Sequence, residues 1–309
     1  MRTLRFEVRM LLGLGLVAMA AGCDDNLNAF GGNNTPPPGS VTGPPGNTYA
    51  LTSTGRLITF DRASPTLKTA MNVTGLQSGE VLLGIDIRPG GTTPGQLYGV
   101  GSSGRLYIID PSTGAATLKS TLSADPTDTT NPFAALSGIE YGVDFNPVVD
   151  RLRIVSDNGL NLRVNVDNGA VITDGTLDVA GTTRSGVVDA AYTNSFASTC
   201  RTTLYYIDSA TDKLLTTSDP NNGVLTEVGA LGVDAGALSA FEISTAPDGT
   251  NTATAAFTVG NASNIYTINL TTGAATLNGA VSGLTANEQV RGLALAPPAT
   301  SPANTLGRW

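Results

Sequence analysis

The sequence predicts an all-β fold: a five-bladed β-propeller closed by pairing of the C-terminal strand with the first blade. Three observations lead there. Only 14% of the 309 residues are charged and 6% aromatic, against 37 glycines, a composition suited to many short strands joined by tight turns. A unit of roughly 50 residues recurs, which is the spacing of a propeller blade. The first and last copies of that unit are incomplete in complementary ways.

Residues 1–22 read as an export signal. Arg2, Arg5 and Arg9 make a basic start, Met10–Ala21 an apolar run, and Ala20-Ala21-Gly22-Cys23 a small-residue processing site. The apolar run is too short to span a bilayer. The site resembles a bacterial lipobox, which implies that Cys23 is lipidated and becomes the new N-terminus. Removing the segment takes away three Arg and one Glu, leaving 14 basic and 24 acidic residues, net −10. So acidic a chain, with no basic cluster, is a poor partner for nucleic acid. With Cys23 acylated, Cys200 has no intramolecular disulfide partner.

Residues 23–47 follow as a tether. The stretch DDNLNAFGGNNTPPPGSVTGPPGN is too polar and too rich in Pro and Gly to bury a core. The tail, 298–309, has the same character. The expected propeller occupies 48–297.

Within it, TYALTSTGRLITFDRASPTL (Thr48–Leu67) aligns with LYGVGSSGRLYIIDPSTGAATL (Leu97–Leu118), and TGAATL occurs at both Thr113 and Thr272. Later copies begin RLRIVSDNGLNLRVNVDNG, TLYYIDSATDKLLTTSDPNNG and AAFTVGNASNIYTINLTTG. Each copy after the first is preceded by a further short strand: GIDIRP, GVDFNP, DAAYTN and AFEIST. A fifth, GLALAP, stands near the C-terminus with no copy after it. Taking Ile87, Phe145, Tyr192, Ile243 and Leu295 as equivalent gives steps of 58, 47, 51 and 52 residues. The orphan C-terminal strand therefore completes the first blade, and closure removes sheet edges that would otherwise invite aggregation. The fourth strand is weakly patterned in blades 1 and 3.

GIDIRP…QLYGVGSSGRLYIID, then GVDFNPVVDRLRIVSDNGLNLRVNVDNG, then AAYTNS, resembles a bacterial family catalogued as a domain of unknown function, number 4394 in its series. The likeness covers about Thr48–Pro297 and is most specific in blade 3. It implies export and a propeller fold, and carries no active site with it.

The candidate residues follow from the fold. There is no histidine, which excludes Ser-His-Asp and Cys-His catalysis and zinc or copper sites of the usual type. No catalytic or metal-ligating set is assigned. The innermost strands are expected to line a channel with Asp86, Arg88, Asp144, Asn146 and Glu242. Two carboxylates there would suit glycosidic hydrolysis at the right separation, or would simply bond to backbone N–H groups and Arg neighbours. No cofactor is predicted. Oxygen-ligated calcium at Asp157, Asp167, Asp212 and Asp219 is the option left open, but no loop has the D-x-[DN]-x-[DN]-G pattern, and turn capping accounts for these residues.

The most telling feature is a polar row in blade 3, Asn161, Arg163 and Asn165, alternating with Leu162, Val164 and Val166. Middle strands pack on both faces, so such a row needs partners. The expected partners of Arg163 are Asp144, or Asp189 of the next blade, forming either an inter-blade network or a ligand pocket between blades 3 and 4. Together these readings predict a lipid-anchored, non-catalytic binding module at the bacterial envelope, facing the periplasm or the outside. Its partners would be the membrane through the lipid and an envelope glycan or protein. The alternatives are a carboxylate-dependent glycan hydrolase and a purely structural envelope protein.

Overall fold

The computed structural model describes residues 46–295. The signal, Cys23, nearly all of the tether and the tail fall outside that range. Among the described residues there are strands and turns and no helix.

Five antiparallel sheets form a ring. Blade 1 takes Val290–Leu295 as its innermost strand, followed outward by Thr48–Thr52, Arg56–Asp61 and Ser64–Asn72. Blade 2 is Leu82–Ile87, Leu97–Gly101, Arg105–Ile109 and Ala116–Thr121; blade 3 is Tyr141–Asn146, Arg151–Ser156, Asn161–Asn165 and Ala170–Thr173. Blade 4 is Val187–Tyr192, Leu204–Asp208, Lys213–Asp219 and Val224–Ala230; blade 5 is Ser239–Thr245, Asn251–Val259, Ala262–Ile268 and Ala275–Ala280. The innermost strands touch in cyclic order, and that of blade 5 meets Val290–Leu295, which in turn meets that of blade 2. Closure is as the sequence predicts: Thr48 pairs with Leu295, Ala50 with Leu293 and Thr52 with Val290. The weakly patterned outer strands are present, nine residues long in blade 1 and four in blade 3.

The alternation of side chains explains why these strands are nearly continuous in apolar residues. Both faces of each blade are covered, so both sets of alternating positions bury apolar groups. In blade 1, Ile58 and Ala50 face blade 5, while Leu57 and Leu51 face blade 2. Each of the five blade–blade seams holds one apolar cluster. Glycine is required where the innermost strands approach most closely: a Cβ on Gly142 would lie 2.5 Å from Cα of Asp189.

The outer edges are covered as well. Each connection between blades clips onto the outermost strand of the blade it enters. Thr74 bridges to Ala115 and Ser282 to Thr66, both parallel. Ser123–Ala124 runs parallel to Ala170–Val171, and Asp178–Val179 to Val224–Leu225. Between blades 4 and 5, the Ala275 N–H donates to Leu231 O at 2.9 Å. Five short clips thus occupy hydrogen-bonding groups that an exposed edge would offer to another chain.

Candidate functional site

The equivalence of the innermost strands places one residue per blade at the same level of the axis: Ala294, Asp86, Asp144, Ala191 and Glu242, for blades 1 to 5. Three of the five are acidic. One carboxylate oxygen from each of Asp86, Asp144 and Glu242 lies within 4.8 Å of the others, the one such group of metal-ligating side chains among the described residues. All three are buried, at 3%, 1% and 3% exposure.

Backbone N–H groups hold them in place. Asp86 Oδ1 accepts from Ile87 N at 2.6 Å, and its Oδ2 accepts from Phe145 N of blade 3 at 2.7 Å. Asp144 Oδ2 accepts from Tyr192 N of blade 4. Glu242 Oε1 accepts from Ile243 N at 2.8 Å. The sequence-based structural alternative, bonding to backbone N–H, is thus what these carboxylates do. Burial is the main reason all three are held well above the ordinary carboxylate range; repulsion adds to it, from Asp144 on Asp86, Glu242 on Asp144 and Asp86 on Glu242.

Asp189 belongs to a second level of the axis. It accepts from the Ser239 hydroxyl of blade 5 and is 4% exposed. Burial raises its pKa well above the usual value, against the opposing effect of that hydrogen bond. Because the folded-state pKa is raised, the folded protein binds more protons than the unfolded chain between the ordinary carboxylate pKa and the raised one. The stabilisation is fully present below that window and is lost as pH rises through it. Asp189→Asn is expected to flatten the decline in stability as pH rises above the ordinary carboxylate range, by up to about 1.4 kcal/mol per pH unit. Urea melts of both proteins across that range check it; parallel curves would rule out Asp189 as a titrating group.

Two residues expected in the channel are elsewhere. Arg88 turns outward and clasps blade 3: Nε and Nη2 donate to Asp150 at 2.8 and 2.5 Å, and Nη1 and Nη2 to Asp167 at 3.0 and 2.9 Å. This clasp holds Asp167 down at about 2. Asn146 caps a turn, its Oδ1 accepting from Val148 N at 2.9 Å.

The blade 3 row also differs from expectation. Arg163 meets neither Asp144 nor Asp189. Its Nε and Nη2 donate to the two carboxylate oxygens of Asp174, at 2.7 and 2.9 Å. Arg163 lies two strands out from Asp144, because Arg153 pairs with both. At nearly 5 Å per strand, that is about 10 Å of separation. Asp174, directly after the outermost strand, is the nearer acid. It also binds Arg153 Nη1 at 2.7 Å.

Arg153 is the member that sequence reasoning missed. It is 1% exposed, and it donates also to Asn161 Oδ1 at 2.6 Å and to the Tyr192 hydroxyl at 3.2 Å. Asn161 Nδ2 in turn donates to Gly175 O and, in blade 4, to Pro220 O, at 2.9 and 3.0 Å. The signal was present in RLRIVS, where Arg153 stands between Leu152 and Ile154 and pairs across the strands with Asp144. Asn165 stands apart as a turn cap, accepting from Asp167 N at 3.1 Å.

Of the turn aspartates only Asp219 has a local partner; Asp157 and Asp212 reach across to the amides of connecting segments 18 and 23 residues away instead of capping their own turns. Asp157 Oδ1 accepts from Ile139 N at 2.8 Å, Asp212 Oδ1 from Ala235 N at 2.9 Å, and Asp219 Oδ2 from Asn222 Nδ2 at 2.7 Å. Cys200 is an exposed free thiol.

Open clefts among the described residues include a small one of about 190 Å³ beside Asn161 and Asp174 of the blade 3 row, and two larger ones. One, of about 420 Å³, runs between blades 1 and 2 past Thr52, Asn72, Glu80 and Arg291. The other, of about 490 Å³, lies between blades 4 and 5 and gathers Asn194, Arg201, Asp248 and Asn251 around Tyr205. An amide pair crosses its floor, Asn251 Nδ2 donating to Asn194 Oδ1 at 3.1 Å.

A family model described as Domain of unknown function (DUF4394) matches residues 56–294. No curated protein matches the chain. Among solved structures, the chain is similar to a glutaminyl cyclase of Myxococcus xanthus at 15% identity, covering 70% of this chain and 77% of that one, with a TM-score of 0.38. A protein of unknown function from Bacteroides thetaiotaomicron VPI-5482 is similar at 13% identity, with 81% and 65% covered and a TM-score of 0.44. A putative 6-phosphogluconolactonase from Bacteroides uniformis is similar at 14% identity, with 75% and 81% covered and a TM-score of 0.38.

Proposed function

Because the chain belongs to the family described as Domain of unknown function (DUF4394), no activity arrives with the fold, and we propose that it is a non-catalytic binding module of the bacterial envelope, anchored through lipid on Cys23. The observation that carries this reading is the sealing of the axis. The acids best placed for hydrolysis, Asp86, Asp144 and Glu242, are at most 3% exposed and packed within 4.8 Å. A glycosidase pair stands roughly 5–9.5 Å apart with room for sugar and water. What the molecule offers to a ligand is its surface, on a scaffold made rigid by ring closure.

The cleft between blades 4 and 5 suits an envelope glycan. Asn194, Arg201 and Asp248 supply donors and acceptors, and the half-buried Tyr205 supplies an apolar face. The anchor and tether rest on sequence alone: the cysteine at the processing site and a polar, Pro-rich segment long enough to hold the domain off a bilayer.

The test uses the full chain in detergent against a panel of envelope glycans. The expected result is saturable binding without release of reducing sugar, weakened about fivefold in Tyr205→Ala, since stacking is worth about 1 kcal/mol. Turnover that disappears in Glu242→Gln would replace the module with a hydrolase. Metabolic labelling with a radioactive fatty acid tests the anchor: label should enter the wild type and be absent from Cys23→Ser.

A further inference from the structure

The geometry points to a divalent-cation site on the propeller axis, with Asp86, Asp144 and Glu242 as three of its oxygen ligands and a hard cation such as calcium as its ion. The first observation is the convergence already described: three carboxylate oxygens from blades 2, 3 and 5 within 4.8 Å. Ligands on opposite sides of a calcium ion, at 2.3–2.6 Å each, span roughly 5 Å. All the protein donors are carboxylate oxygens, which select hard cations over zinc or copper.

The second observation is independent of the clustering. Asp144 Oδ1 is buried and has no hydrogen-bond partner, in a residue only 1% exposed. Its sister oxygen is taken by the Tyr192 N–H. Asp144 thus keeps a buried oxygen that no amide, hydroxyl or guanidinium satisfies, with the Asp86 carboxyl as its neighbour. A buried carboxylate oxygen without a donor is costly, and its nearest polar neighbours, Asp86 and Glu242, are acceptors when ionised. A cation answers all three at once.

The second shell fits. The amides of Ile87, Phe145, Tyr192 and Ile243 each hold one carboxylate oxygen, as oriented metal ligands require. A divalent ion leaves the triad one negative charge, and Arg62, which interacts electrostatically with Glu242, lies on the side to offset it. Ala191 and Ala294 fill the other two places of the ring with methyl groups, so acid is concentrated where one ion can reach it. Such an ion locks blades 2, 3 and 5 to one another. It is a structural centre, independent of any ligand held in the surface clefts.

The site is sealed, so the ion is expected to enter during folding and exchange slowly. The full chain, unfolded and refolded in detergent with either calcium chloride or EDTA, is therefore the material to compare. After dialysis, elemental analysis should find one calcium per chain in the first sample and none in the second, and the first should melt at higher temperature. In Asp144→Asn and in Glu242→Gln, which keep the shape and one acceptor, calcium affinity should fall by about a hundredfold or more, since disturbing an outer-shell partner alone costs about 10–100-fold. Manganese refolded into the same site should give a paramagnetic signal that excess calcium present during refolding abolishes.

Wild-type protein that retains no ion and melts identically in calcium and EDTA would overturn the site. Calcium that binds both variants as well as the wild type would assign it to the acidic surface and equally overturn it. If one variant fails to fold, the other and the wild-type stoichiometry still decide.

Discussion

Asp174→Ala is expected to destabilise the propeller by about 3–5 kcal/mol, because it strands the buried guanidinium of Arg153 without a counter-charge. Arg153 is the largest fully buried side chain, and its contact with Asp174 is 2.7 Å. The same substitution also removes both hydrogen bonds of Arg163. For a domain of this size the loss corresponds to a fall in melting temperature of roughly 6–20 °C. Arg163→Ala should cost far less, roughly 1 kcal/mol, because that side chain is 29% exposed and Asp174 keeps Arg153. The order of these two variants in a thermal melt is the check. Equal losses would mean that Arg163 carries the network. A double variant, Arg153→Met with Asp174→Leu, should recover much of the lost stability, because removing a buried pair together leaves no unpaired charge. Arg163 can then turn to water.

The second large effect concerns closure. A chain ending at Gln289 is expected to be insoluble, bright with hydrophobic dyes and open to protease. It lacks Val290, Leu293 and Leu295, exposed 0%, 3% and 8% in the ring. Burying each such side chain contributes about 1.5–3 kcal/mol. Their sum, with the five pairings to Thr48–Thr52, is a large part of the 5–15 kcal/mol that typically separates folded from unfolded domains. The cut also bares Ala50, Leu51 and the edge of blade 1. A circular permutant that carries residues 290–295 ahead of Thr48 separates lost contacts from lost connectivity. It should fold, with blade 1 continuous and the seam moved between blades 5 and 1. Failure of the permutant would place the stability in the covalent link through Glu288, which bonds Arg56 Nη1 at 2.7 Å and the Thr54 hydroxyl at 2.7 Å.

Much of this architecture was legible before any coordinates. Strand positions, blade count and the C-terminal closure followed from a repeat near 50 residues and a hydrophobic period of two. Within a blade a strand's partner lies a few residues away across a turn, so the pattern that builds the turn also sets the register; the closing pair, Thr48 with Leu295, was legible instead from the incomplete first and last copies of the repeat. The turn role of Asp219 is legible for the first of these reasons, whereas Asp157 and Asp212 bond amides 18 and 23 residues away that no local pattern announces.

Tertiary structure decided which charges meet. Arg88 sits beside Asp86 in the chain, yet it points out to Asp150 and Asp167, while Asp86 points in to residues from blades 3 and 5. Arg153, Arg163 and Asp174 form one cluster because the row on blade 3 faces blade 4 and the nearest acid is where the outermost strand ends. Asp86, Asp144 and Glu242 are far apart in sequence and meet only because ring closure brings the same level of each innermost strand to one axis. Hydrophobic periodicity reports whether a position is buried. It does not report distance between blades, and at these separations an ångström or two determines whether two charges pair, repel or share an ion.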